Sequence, residues 1–142
     1  MKCFGVIGLG TIAKRHARNL RKLHHDSLIY AVSASGTNSS KIDCIDDIVS
    51  LDYLISCKPE YAIIASPATY HIEVAKKFIH NKIPILIEKP LAANFNDCKE
   101  FLKFSKNNIK IDIAVGYCLR FLPSSLAFKK FIESGSLGQI YN

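Results

Sequence analysis

Gly8, Gly10 and Ala13 stand at the spacing G-x-G-x-x-A, a spacing suited to holding phosphates. The run before them, Cys3-Phe4-Gly5-Val6-Ile7, is short and apolar, as a buried strand is. After them Ile12, Ala13, His16, Leu20 and Leu23 recur one, three or four residues apart, as on one face of a helix. Gly8 therefore falls where the chain turns sharply. Gly10 falls where any side chain would separate the main chain from an incoming pyrophosphate, and Ala13 is small enough to let the helix lie close to the sheet. The unpaired N–H groups of the first helical turn then face the phosphates, with the positive end of the helix dipole behind them. The alternative is a tight strand-to-helix turn without a ligand, so the decision rests on how the other strands end.

Further apolar runs at residues 28–32, 61–65, 84–87 and 111–117 read as strands, rich in β-branched and aromatic residues. Helical patterns separate them. One opens at Asp46-Asp47, runs through Ile48, Leu51, Leu54 and Ile55 and closes at Lys58-Pro59. A second carries Ile72, Ala75, Phe78 and Ile79 on one face, a third covers residues 94–107, and a last one runs from Pro123 to Ser134-Gly135. Such alternation predicts an α/β fold, a doubly wound and mostly parallel sheet with helices on both faces. Polar residues collect where the strands stop: Ser33-Ala34-Ser35, the stretch from Ser66 to His71, and Glu88-Lys89. In a parallel sheet those ends share one edge, the edge at which open α/β folds bind ligands.

The end of the second strand bears on the cofactor. An NAD site usually places a carboxylate there for the adenosine ribose hydroxyls. This sequence has Ser33 and Ser35 instead, and Asp26 precedes the strand rather than following it. Hydroxyl residues leave room for a 2′-phosphate and Lys41 is a candidate partner for it, so NADP is favoured over NAD. The competing possibility is an exposed loop with the ribose held elsewhere.

Composition excludes other classes. The chain has 142 residues, 49% of them hydrophobic, enough for one core. No apolar stretch approaches the roughly 20 residues that cross a bilayer. Met1-Lys2 leads at once into strand and glycine turn, so no cleavable leader is expected and the cytoplasm is the expected compartment. Five cysteines without close spacing predict reduced thiols, mostly small core residues, and no metal pair. The net charge of +7 is densest at Lys14-Arg15-His16-Ala17-Arg18 and on to His25, without interleaved aromatic residues. It reads as the solvated face of a helix, not as a nucleic-acid surface.

Taken together, five stretches resemble the glucose–fructose oxidoreductase/inositol dehydrogenase (Gfo/Idh/MocA) family. They are the glycine turn, Ala65-Ser66-Pro67-Ala68-Thr69-Tyr70-His71, Ile87-Glu88-Lys89-Pro90-Leu91-Ala92, Val115-Gly116-Tyr117-Cys118-Leu119-Arg120-Phe121-Leu122-Pro123, and Gly135-Ser136-Leu137-Gly138-Gln139-Ile140. Glu-Lys-Pro at a strand end is the most specific of them. The resemblance implies a two-domain enzyme, longer than this chain, that moves hydride between NAD(P) and a hydroxyl or keto carbon of a sugar, cyclitol or sugar nucleotide. Residues 1–120 correspond to its dinucleotide-binding Rossmann domain, and residues 121–142 to a linker and helix leading to a substrate domain that this sequence lacks. That domain would carry the family's Asp and His on one helix. The alternative is a module that binds NAD(P) without catalysis, as a sensor or partner subunit.

Carried over by residue, Gly8, Gly10, Thr11 and Ile12 resemble the pyrophosphate turn, and Ser66 and Pro67 the strand end beside the cofactor. Ala68 replaces the family's usual Asn and removes one hydrogen bond. His71 holds the position of a loop histidine near the nicotinamide ribose; otherwise it is a surface histidine opening a helix. Glu88 and Lys89 resemble the pair that touches nicotinamide ribose and substrate, with Pro90 expected in a cis bond. Lys89 is the catalytic candidate, because a cation beside the substrate oxygen stabilises the alkoxide that forms as hydride leaves. Arg120 and Tyr117 are substrate-binding candidates. Apolar surface around Phe121, Phe128 and Ile140, bare without a second domain, predicts self-association into a homo-oligomer.

Overall fold

The structure, a computed structural model, describes residues 1–33, 42–107, 111–139 and 141. Ser35, Lys41 and Ile140 lie outside the described residues. The strands are β1 (Cys3–Ile7), β2 (Leu28–Val32), β3 (Asp47–Ile48), β4 (Tyr61–Ile64), β5 (Ile85–Ile87) and β6 (Ile113–Val115). They form one parallel sheet in the order β3-β2-β1-β4-β5-β6. Between them run α1 (Thr11–Leu23), α2 (Leu51–Ser56), α3 (Ala68–His80) and α4 (Phe95–Lys106). After β6 come a short 3-10 helix (Cys118–Phe121) and α5 (Pro123–Glu133).

Because side chains alternate along a strand, the sheet feeds two cores. Phe4 and Val6 of β1 meet Ala13, Ala17 and Leu20 of α1 on one face. Ile7, Ala62, Ile64, Ile85 and Ile87 meet Leu54 of α2, Phe78 and Ile79 of α3 and Phe101 of α4 on the other. Each fully buried side chain of this size contributes roughly 1.5–3 kcal/mol. Gly5 belongs to the second face by necessity: a Cβ there would stand 2.7 Å from Leu54 Cδ2. The alanines of α1 do on their side what Gly5 does on the other, and let the helix settle onto the strands.

Asp46-Asp47 does not open a helix. Asp46 N donates to Ile29 O (2.9 Å) and Val49 N to Ala31 O (2.8 Å), which draws the segment alongside β2 as β3. The Asp46 carboxylate also accepts from Ile29 N (2.7 Å) and from Arg21 Nη2 (2.6 Å). The helix starts only after Ser50, whose hydroxyl accepts from Tyr53 N. β6 is likewise shorter than the apolar run that suggested it, since Tyr117 N folds back to Val115 O and a 3-10 turn follows.

The cysteines are free and none is fully buried: four are half-buried, Cys3 and Cys44 of them packed against the two cores, and Cys118 is exposed. Burial, then Cys57 and Asp46, push the Cys3 thiol above its ordinary range. Alkylation at neutral pH is therefore expected at Cys118 first and at Cys3 late, speeding only as pH rises. Mass mapping of partly modified protein checks this order. Among the described residues no helix is long and apolar enough to cross a membrane.

Candidate dinucleotide-binding site

Parallel register places the strand ends in one row. Ile7 pairs with Val32 and with Ile64, Ile64 with Ile87, and Ile87 with Val115. The next residue of each strand, Gly8, Ser33, Ala65, Glu88 and Gly116, therefore stands on the same edge. Main-chain bonds hold that row: Gly8 N to Val32 O, Ala65 N to Ile7 O, Glu88 N to Ile64 O and Gly116 N to Ile87 O, all 2.7–2.8 Å. The order reverses between β2-β1 and β4-β5, which makes the β1/β4 gap the topological switch point.

Two glycines at this gap differ in kind. Gly8 has φ +109°, and a Cβ there would stand 2.6 Å from Ala65 O and 2.9 Å from Ala65 C. The turn is thus packed against the next strand's main chain and admits no side chain. Gly10 has φ −72° and ψ −179°, backbone that any residue adopts, and nothing lies within 4 Å of where its Cβ would be. The space above it is open. Thr11 and Ile12 begin α1 and are exposed; no side chain caps that end and no carboxylate stands in the first turn. The 13-residue helix so presents bare N–H groups and its positive end to an open cradle.

Beside this cradle Ser66 Oγ is buried without a hydrogen-bond partner among the described residues. A hydroxyl in that state is costly unless something binds it. Pro67 forms the cap of α3 and is exposed. The groups available are N–H donors of a helix start, an unpartnered hydroxyl and, as acceptor, the strand-end carboxylate of Glu88. They are those a dinucleotide's phosphates and ribose hydroxyls require, so the residues present fit the group.

The structure moves His71 from the site surface to beneath it. Its ring is 1% exposed, with Nε2 2.7 Å from Ser66 O and Nδ1 3.0 Å from Pro90 O. Both nitrogens are committed to main-chain carbonyls, so none is offered to a ribose. A neutral ring donates to one of these carbonyls and a protonated ring to both. His71 braces the Ser66-Pro67 turn against the Lys89-Pro90 turn, whose peptide bond is cis. The i+5 spacing from Ser66 and the following Glu-Lys-Pro are visible in the sequence, but nothing there shows that the ring is enclosed.

Glu88 is held at three sides. Oε1 accepts from His16 Nε2 of α1 at 2.7 Å, Oε2 accepts from Lys89 N at 3.2 Å, and a Cβ at Gly116 would stand 3.3 Å from Oε2. Sequence spacing gives His16 no such role: it counts there both as a position of the inward face of α1 and as part of the basic cluster on its solvated face. Lys89 itself is exposed and makes no ion pair among the described residues. Arg120 and Tyr117 are exposed as well, on and just before the 3-10 helix that follows β6. Ser33 ends β2 in the same row. No group of three or more His, Cys, Asp or Glu among the described residues is placed to hold a metal ion.

Comparison with known proteins gives the same frame. The chain is 30% identical over 141 residues to the 2,7-anhydro-N-acetylneuraminate hydratase of Escherichia coli K12, covering 96% of this chain and 37% of that protein. It is 27% identical to inositol 2-dehydrogenase 1 of Saccharopolyspora erythraea, covering 94% and 42%. Its fold matches scyllo-inositol dehydrogenase from Lactobacillus casei, solved with NAD(H) and scyllo-inositol, at a TM-score of 0.83 and 20% identity, over 99% of this chain and 43% of the other. The chain thus spans about two fifths of the length of these proteins. Residues 2–117 match the family model described as the oxidoreductase family with an NAD-binding Rossmann fold. With most of its length inside that match, and the glycine turn and strand-end row inside it too, the chain belongs to the Gfo/Idh/MocA oxidoreductase family as a dinucleotide-binding Rossmann domain.

Proposed function

We propose that this chain binds a nicotinamide dinucleotide across the row of strand ends, as part of an enzyme that oxidises or reduces a hydroxyl or keto carbon of a sugar, cyclitol or sugar nucleotide. The observation that carries the proposal is the open space over Gly10, at the bare N-terminus of α1. Gly8, Gly10, Thr11 and Ile12 hold the pyrophosphate through main-chain N–H groups. The adenosine half runs toward Ser33 and, beyond the described residues, Ser35. The nicotinamide half runs the other way, over Ser66 and Pro67 toward Glu88. Ser33 in place of a carboxylate favours NADP over NAD.

Bound there, the nicotinamide supplies the acceptor or donor of hydride. Lys89 then acts on the substrate: its ammonium stabilises the oxygen that becomes an alkoxide and takes part in moving that oxygen's proton. Arg120 and Tyr117 orient a hydroxyl-rich or anionic ring. Support for that substrate class comes from the relatives, whose names point to inositols and an anhydro sugar acid.

The proposal includes a substrate domain joined after residue 120. The 3-10 helix and α5 carry a stripe of exposed apolar residues, Phe121 at 78% and Phe128 at 62% exposure among them, on which another domain or a second copy would dock. Such an enzyme would work in the cytoplasm, where its free thiols stay reduced.

Titration calorimetry with NAD+, NADH, NADP+ and NADPH tests the cofactor assignment. Weak binding is expected, tighter for the 2′-phosphorylated pair. No heat from any of the four at millimolar concentration overturns the proposal; tighter binding of NADH overturns only the preference for NADP.

A further inference from the structure

α1 holds one polar residue whose ring faces the site instead of solvent. Ala13, Ala17 and Leu20 of this helix are buried in the core. His16 lies one turn beyond Ala13, with its side chain only 16% exposed, and reaches a carboxylate that is also 16% exposed and 72 residues away in the chain. The contact joins the helix that starts with the pyrophosphate turn to the strand end that carries Lys89. Glu88 needs such a partner. A half-buried carboxylate without one turns toward water, and here the turn would pull it off the Lys89 N–H and away from Gly116.

We infer that His16 is a positioning residue of the cofactor site: it fixes the Glu88 carboxylate, and through it the main chain of Lys89, at one distance from the pyrophosphate turn. The inference rests on the dinucleotide reading above. It has a directional consequence. The adenosine ribose of a Rossmann site lies at the end of β2, so Glu88, two strands to the other side of β1, serves the nicotinamide half. Loss of His16 should therefore weaken a whole dinucleotide and spare a ligand that lacks both the nicotinamide and its ribose. A merely structural role in α1 would weaken both alike, because both bind its first turn through the same phosphates.

The test is calorimetry of the full chain and of His16→Leu with the tighter-binding dinucleotide and with ADP (or its 2′-phosphate), which keeps the adenosine and both phosphates and lacks the nicotinamide and its ribose. His16→Leu is expected to lose about tenfold in dinucleotide affinity, the scale of one hydrogen bond to a charged group, with ADP unchanged. His16→Gln, whose amide nitrogen can take the place of Nε2, is expected to recover most of the loss. Equal weakening of both ligands, or no weakening of either, overturns the inference while leaving the dinucleotide reading intact. Binding of neither ligand by the unaltered chain overturns both. If His16→Leu does not fold by circular dichroism, Glu88→Gln, of nearly identical shape, is expected to show the same selective loss, and an unselective one overturns the inference.

Discussion

Gly8→Ala is expected to cost the fold, and Gly10→Val to cost only the ligand. At Gly8 a side chain would meet two penalties. An L residue at φ +109° is strained by roughly 1–3 kcal/mol. Its Cβ would also stand 2.6 Å from the carbonyl oxygen of Ala65, and that oxygen is fixed in a strand end that cannot give way cheaply. Together these should exceed about 3 kcal/mol, a large part of a typical domain's 5–15 kcal/mol. The expected result is a melting temperature lower by about 10 °C or an insoluble chain. Gly10 sits in ordinary extended backbone with nothing within 4 Å of where a Cβ would stand, so a side chain there starts without backbone strain into open space. It does fill the volume where a pyrophosphate would lie. Gly10→Val should melt with the parent chain and bind dinucleotide at least about a hundredfold more weakly, roughly 2.7 kcal/mol. A Gly10→Val chain that binds NAD(P)H normally would remove the pyrophosphate from this turn. A Gly8→Ala chain that melts normally would show that the turn relaxes more freely than its packing against Ala65 allows.

The two glycines also mark the limit of what spacing reveals. G-x-G-x-x-A names both positions, yet it does not say that one is closed by main chain and the other open. Strand ends were legible for a related reason: apolar runs stop where polar residues begin, and parallel register brings the stops to one edge. Asp46 shows where such reading fails. An acidic pair before an apolar run resembles a helix start, but the carboxylate is used sideways, by Ile29 N and Arg21, to stitch a short strand to β2. No local pattern carries that partnership across 17 residues. His71 and His16 fail in opposite directions. By its spacing His71 resembles a ligand, yet it is a brace between two turns. By its spacing His16 is one more position on a helix face, yet it reaches the strand-end carboxylate. His16 finds its partner 72 residues away and His71 one of its two 19 residues away, and the packing of α1 and α3 against the sheet decides both.

The 142-residue chain, saturated with dinucleotide, is expected to turn over no sugar or cyclitol at a measurable rate. Hydride transfer needs the nicotinamide, the substrate carbon and a group for the hydroxyl proton held together. The row of strand ends serves the first and Lys89 part of the third. Lys89 is exposed, as are Arg120 and Tyr117, so the substrate would meet cations in open water. At about 4 Å a pair of unit charges gains about 1 kcal/mol in water and about 4 kcal/mol near a protein surface of lower dielectric. The pull of Lys89 on an alkoxide is weakened accordingly. Positioning contributes more: an oriented substrate can save roughly 7–11 kcal/mol of barrier, and exposed side chains on a single edge cannot supply it. Binding and turnover should therefore separate in this chain, the first measurable by calorimetry and the second absent by absorbance of NAD(P)H. Steady NAD(P)H formation that disappears in Lys89→Ala would overturn the expectation. If the specific rate also rose with protein concentration, the wall over Lys89 would have to come from a second copy, docked on the apolar stripe of α5.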